Sequence, residues 1–166
     1  FVGNGSDEVL AFAFGALMQS PVRFADITYS FYPVYAQLFG LETHIVPLDE
    51  EGGIRLSDYE KSSCGGIVVC NPNAPTSRAL PAAEIEAMVR RCPDTVVLVD
   101  EAYVEFGAES MIPAVERNPN LLVCRTLSKS HGLAGLRCGF AVGQPHLIAA
   151  LDTIKNSFNS YTVDTL

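Results

Sequence analysis

Positive charge is scarce in this sequence. Lysine and arginine together number 11 against 19 acidic residues, a formal net charge of −8. An acidic chain gains no electrostatic hold on nucleic acid or on an anionic membrane. No apolar run is long enough to span a bilayer, and no signal-peptide pattern opens the chain. No C-x-x-C pair occurs among the five cysteines, Cys64, Cys70, Cys92, Cys124 and Cys138, and an odd count does not close into a disulfide framework. Cys70, Cys124 and Cys138 lie in apolar runs, where a thiol acts as a small hydrophobe. That usage suits a reducing compartment, the cytoplasm. No G-x-G-x-x-G opens a helix after a strand and no P-loop is present, which argues against a nucleotide-binding module. Nothing in the pattern calls for a metal. An initiator Met is also missing, so a chain running from Phe1 to Leu166 reads as a piece of a longer protein.

What is present suits one soluble α/β domain. The 166 residues are 48% hydrophobic and 18% charged, enough for a real core. Three short apolar runs, at 66–70, 95–99 and 121–124, do not alternate with polar residues, as expected of strands buried on both faces of a parallel sheet. Weaker strand candidates lie at 23–27, 42–47 and 137–142. Helical patterns fall between them. Residues 7–20 are apolar almost all round and predict a buried helix. Residues 32–39 predict a shorter one ending at Gly40, a suitable left-handed cap. Pro81 can open a helix in its first turn, with Ile85, Met88, Val89 and Cys92 on one face and Pro93 as a stop. Leu147, Leu151, Ile154 and Phe158 form another stripe after Pro145. Strands alternating with helices predict a three-layer α/β/α fold with right-handed crossovers. About six or seven strands is within the usual range.

In such sheets ligands bind beyond the carboxyl ends of the strands. Four segments there carry chemistry. Residues 3–8, Gly-Asn-Gly-Ser-Asp-Glu, precede the buried helix. Free N–H groups at Ser6 and Asp7 make an anion site, though a plain helix cap by either side chain explains the pattern as well. Residues 71–76, Asn-Pro-Asn-Ala-Pro-Thr, form a turn whose Asn73 amide can donate to a ligand oxygen. Asp100-Glu101-Ala102-Tyr103 puts a carboxylate at a buried strand end, where it needs a cationic partner or serves as a cap. The fourth segment runs from Thr126 through Ser128, Lys129 and Ser130 to Arg137. The chain has three lysines, and Lys129 alone follows a buried strand. Desolvation there would depress its pKa and make it a nucleophile toward an aldehyde. Arg137 offers a fork for phosphate oxygens.

One ligand uses all of these: pyridoxal phosphate has an anion, a ring nitrogen that wants a carboxylate, a phenolic oxygen that wants donors, and a carbonyl for a lysine. The run Ser128-Lys129 followed by Gly-Leu-Ala-Gly-Leu-Arg-Cys-Gly-Phe at 132–140 resembles the signature of fold type I pyridoxal-phosphate aminotransferases. Asp-Glu-Ala-Tyr-Val-Glu-Phe at 100–106 resembles the same family, most closely its histidinol-phosphate branch.

The resemblance implies a role for each site residue. Lys129 carries the cofactor as a Schiff base and shuttles the proton. Asp100 pairs with the pyridine nitrogen, and Tyr103 donates to the phenolate oxygen, so these three are the expected catalytic set. Tyr32 stacks on the ring face. Ser128, Arg137 and the backbone at Ser6 and Asp7 hold the phosphate. The family commonly has an Asn where Ala74 stands, which leaves Asn73 as the substitute donor to the ring oxygen. It also commonly has Pro where Ile27 stands, and an apolar or aromatic residue at His131, which reads better as an exposed loop histidine. The strand at 137–142 should run antiparallel to the others.

The implied parent reaction is amino transfer from a small-molecule donor, histidinol phosphate, to a 2-oxo acid, 2-oxoglutarate, in histidine biosynthesis. An aromatic aminotransferase, a threonine-phosphate decarboxylase, or a cofactor-binding piece without turnover are the alternatives. Family members are roughly twice as long. Residues 1–166 then form the cofactor-binding large domain, with the small domain and its substrate-binding arginine outside it. The family also implies a homodimer.

Overall fold

The computed structural model describes residues 1–60 and 64–155. Seven strands form one sheet in the order β1-β7-β6-β5-β4-β2-β3. They are β1 (Val2–Asn4), β2 (Val22–Ala25), β3 (Thr43–Val46), β4 (Gly66–Cys70), β5 (Val97–Asp100), β6 (Leu121–Thr126) and β7 (Cys138–Gly143). Pairings from β3 through β6 are parallel, and β7 runs antiparallel to both β6 and β1. The expected antiparallel strand is therefore present. β1 was not anticipated: three residues carry too little periodicity to be read.

The three central apolar runs are strands because both of their faces are covered. Val68, Cys70, Leu98, Leu122 and Cys124 point to one side and pack with α1 (Ser6–Leu17), α2 (Tyr32–Leu38) and α4 (Pro145–Lys155). Ile67, Val69, Val97, Val99, Leu121 and Val123 point to the other and pack with α3 (Ala82–Arg91) and a 3-10 helix at Ile112–Arg117. Successive side chains alternate between faces, so each strand serves two cores. This is the expected three-layer sandwich. No helix among the described residues is long and apolar enough to cross a membrane.

The helices also follow the pattern. Ile85, Met88 and Val89 on α3 are fully buried. Cys92 is only partly buried, just past the helix end. Pro81 precedes the first turn, with φ −60° and ψ 135°, instead of lying within it. It keeps the benefit of a missing N–H but sits in extended backbone. Gly40 follows α2 with φ 66°, as its capping role requires. Leu147 and Leu151 bury the stripe of α4, whereas Phe158 lies outside the described residues. All five cysteines are free thiols.

Candidate active site at the carboxyl ends of the strands

The ends of β4, β5 and β6 and the head of α1 line an open cleft. Its floor is Asp100, the last residue of β5 and 3% exposed. One carboxylate oxygen accepts the Tyr32 hydroxyl at 2.7 Å, and the other accepts the Ala102 N–H at 3.1 Å. Burial raises the carboxyl above its usual range, and the two hydrogen bonds oppose that rise. Asp100 makes no ion pair among the described residues. A buried carboxylate facing a cleft without a cation beside it is a costly arrangement unless a ligand supplies one.

Lys129 and Tyr103 stand above this floor. The Lys129 Nζ lies 5.2 Å from the centre of the Tyr103 ring, and both side chains line the cleft. Lys129 is exposed, which corrects the expectation of a desolvated lysine. Its loop, residues 127–137, covers the cleft from one side only. Ser128 also lines the cleft, its N–H donating to Thr126 Oγ1 at 3.1 Å.

The anion end is built by close backbone contact. Gly5, with φ 86°, precedes α1, and no side chain caps the helix there. Neither Ser6 nor Asp7 acts as the plain cap that the sequence left open. Instead the Asn4 N–H donates to Glu8 Oε2 at 2.7 Å. A Cβ on Gly139 would come within 2.3 Å of Gly5 C and Ser6 N, so β7 can press against the head of α1 only as glycine. A Cβ on Gly5 would meet Arg137 Nη2 at 2.4 Å. Arg137 is exposed, with φ 53°, and reaches over this corner. Its Nη2 lies 3.4 Å from Asn4 O and 3.6 Å from Asp7 Oδ2. Free helix N–H groups with a guanidinium beside them suit a phosphate.

Two assignments need correction. Tyr32 does not wall the cleft. It is fully buried beneath it, with its hydroxyl on Asp100. Tyr29, three residues earlier, lines the cleft, and its hydroxyl donates to Asp7 Oδ1 at 2.6 Å. Burial, followed by that bond to Asp7, raises the Tyr29 pKa and keeps it protonated. Within the segment 28–32 it is Tyr29, not Tyr32, that faces the cleft.

Asn73 is the second correction. It is 2% exposed, and its amide donates to Ile27 O at 2.9 Å and Thr76 Oγ1 at 3.1 Å, while its oxygen accepts Thr28 Oγ1 at 2.8 Å. Both amide hydrogens are committed to the protein. Ala74, not Asn73, faces the cleft. Asn73 ties the loop carrying Tyr29 to the loop after β4. His131 is exposed, as expected, and Lys61 lies outside the described residues.

The strand-end cleft, with a lysine, a buried carboxylate and an anion cradle, defines the class of α/β enzymes that seat an anionic aromatic cofactor at the edge of a parallel sheet. The sequence profile of aminotransferase class I and II matches residues 1–165, and the chain belongs to that family. It is 58% identical to a histidinol-phosphate aminotransferase of Acinetobacter baumannii over 99% of this chain and 46% of that protein. It is equally identical to one of Aromatoleum aromaticum over 100% of this chain and 48% of that protein. The chain therefore spans about half the length of the curated relatives it matches. Among solved structures, a putative histidinol-phosphate aminotransferase of Erwinia carotovora atroseptica superposes with a TM-score of 0.85 at 27% identity, covering 91% of this chain and 47% of that one. The histidinol-phosphate aminotransferase of Sinorhizobium meliloti in complex with pyridoxal-5′-phosphate superposes with a TM-score of 0.81 at 25% identity, covering 93% and 45%.

The family's enzymes work with pyridoxal phosphate, and the residues present fit that group. The buried carboxylate, hydrogen-bonded but in no ion pair among the described residues, suits a protonated ring nitrogen. The close glycine contacts at Gly5 and Gly139 bring the head of α1, with Ser6 and Asp7, beside Arg137 at the cleft, a setting that suits a phosphate. Ala74 carries no side-chain donor, whereas Tyr103, which also lines the cleft, carries a hydroxyl.

Proposed function

We propose that the whole protein is a pyridoxal-phosphate-dependent aminotransferase that takes the amino group of histidinol phosphate and passes it to a 2-oxo acid, 2-oxoglutarate. Residues 1–166 are then its cofactor-binding large domain. The substrate-gripping residues of a second domain, and a homodimer partner, complete the active site. A role in histidine biosynthesis and a cytoplasmic setting go with this reading. The names of the 58% identical relatives support the substrate.

The observation that carries the cofactor assignment is Asp100, buried at the end of β5 in no ion pair among the described residues and facing the same cleft as Lys129. In this reading Asp100 holds a proton on the ring nitrogen, and the cofactor, when bound, supplies an electron sink for the substrate carbon. Tyr29 covers the ring face. Tyr103 donates to the ring oxygen. Ser128, Arg137 and the N–H groups of Ser6 and Asp7 bind the phosphate. Lys129 would be the residue that holds the cofactor at its carbonyl carbon, and its amine would carry the proton at the substrate carbon.

Full-length protein mixed with pyridoxal phosphate should show visible absorption that Lys129→Ala abolishes. A half-reaction with histidinol phosphate should bleach it faster than one with an aromatic amino acid or threonine phosphate. Absence of any lysine-dependent visible band refutes the cofactor assignment. Faster reaction with either competitor refutes the substrate.

A further inference from the structure

Glu101 follows Asp100, and strand alternation turns its side chain to the opposite face of the sheet. The carboxylate is wholly buried, with 0% side-chain exposure. Such burial is expensive, and it raises the carboxyl above its ordinary range. The carboxylate is nonetheless held by two hydrogen-bond donors and one nearby cation. Oε2 accepts the Ser110 hydroxyl at 2.7 Å, and Oε1 accepts the Met111 N–H. Arg125 Nε, on β6, lies 3.8 Å from Oε2. The same guanidinium bonds Glu105 through its Nη2.

These contacts form a clasp. Residues 102–111 leave the sheet at Glu101 and return to it at Ser110 and Met111. Glu101 closes that loop end to end. Arg125 fastens it a second time through Glu105, in the 3-10 turn Val104–Phe106. Tyr103 lies between the two fastened glutamates. Its ring lies under the Lys129 Nζ and lines the cleft. None of the clasp residues lines the cleft.

We infer that Glu101 is a positioning residue: by closing residues 102–111 against β5 and β6 it fixes Tyr103 at the cleft. This rests on the proposed function only in taking Tyr103 as a cofactor contact. A carboxylate is required because two donors approach two different oxygens, and a glutamine would turn an NH₂ toward one of them.

The test uses full-length protein and two readouts. Amide hydrogen exchange of the cofactor-free protein should quicken in residues 102–111 of Glu101→Gln by about tenfold, the factor expected on losing one charge-assisted bond. Exchange in β4 and β5 should stay as it is. Pyridoxal-phosphate dissociation constants should then be measured for Glu101→Gln, Tyr103→Phe and the double variant. A residue acting through Tyr103 adds little to a protein already lacking that hydroxyl, so the double variant should match Tyr103→Phe within about twofold. Unchanged exchange in residues 102–111 overturns the clasp. Effects that multiply in the double variant reduce Glu101 to a general stabiliser and overturn the positioning role. If the parent protein takes up no cofactor, the functional reading fails, and the exchange measurement still decides the clasp. Should Glu101→Gln fail to fold, Ser110→Ala removes one leg without stranding a charge and should give the same pattern more weakly.

Discussion

Removing the Tyr32 hydroxyl should destabilise the protein in a way that depends on pH. Tyr32 is fully buried, and its hydroxyl bonds Asp100 Oδ2 at 2.7 Å. Tyr32→Phe keeps the ring, which stacks near Phe14 at 6.2 Å between centroids, and deletes the donor. Asp100 keeps the Ala102 N–H and loses its other described partner. A hydrogen bond to a charged group contributes about 1.5–3 kcal/mol net, against about 0.5–1.5 kcal/mol for a neutral pair. The cost of the substitution should therefore be about 1.5–3 kcal/mol where Asp100 is ionised and about half that where it is protonated.

The sign follows from linkage. Burial already raises the Asp100 carboxyl, and Tyr32 opposes the rise. Without Tyr32 the folded protein holds that proton more firmly. Stability then falls as pH climbs from the unfolded carboxyl value, about 3.9, through the raised folded value. Urea midpoints of the cofactor-free, full-length parent and variant, compared near pH 7 and near pH 4, measure this. The gap should be wider at pH 7. A gap of equal size at both pH values, or one wider at pH 4, would refute the argument that the hydroxyl serves an ionised Asp100.

Three other outcomes follow from the same geometry. Arg137→Gln should weaken pyridoxal-phosphate binding by roughly 10- to 100-fold, the worth of one charged hydrogen bond to an anion, with little change in thermal midpoint because the side chain is exposed. Equilibrium dialysis gives the first quantity and calorimetry the second. Gly139→Ala should displace the head of α1, because its Cβ meets Gly5 and Ser6 backbone at 2.3 Å. It should lower both stability and cofactor affinity, read by the same two methods. Asn73→Ala strands the Ile27 carbonyl and frees the Tyr29 loop, so it should cost about 1–3 kcal/mol in a urea melt.

Much of the architecture was legible because buried parallel strands advertise themselves. Residues 66–70, 96–99 and 121–124 are apolar at every position, as burial on two faces permits. β1 was not legible, since Val2–Asn4 becomes a strand only by pairing with β7. The strand-end rule led to Asp100, Tyr103, Ser128, Lys129 and Arg137, which line the cleft, but also to Tyr32 and Asn73, which do not. Tyr29 and Tyr32 are three residues apart, and only the turn before α2 determines which enters the cleft. Asn73 carried the right chemistry for a ligand donor, but three neighbours on two loops had already taken its hydrogen-bonding capacity. Lys129 was identifiable by position and hydroxyl neighbours. Its exposure was not, because the burial of a loop lysine depends on whatever packs over it. Glu101 went unassigned for the opposite reason. Its partners Ser110, Met111 and Arg125 are 9, 10 and 24 positions away, with no periodic pattern linking them.

The pairing of β1 with β7 sets an order of events during synthesis. Val2 lies opposite Phe140, and the anion cradle at Gly5 and Ser6 is pressed into shape by Gly139. Residues 2–6 are therefore completed by a strand made well over a hundred positions later. At roughly 5–20 residues per second, the ribosome takes on the order of ten seconds to supply that partner strand. Joining segments so far apart in sequence also carries a loop-closure cost that the locally paired strands β4 to β6 avoid. The central sheet can settle first, with the phosphate corner still unformed. A nascent chain would then acquire its cofactor grip late, after the strand carrying Asp100 is in place.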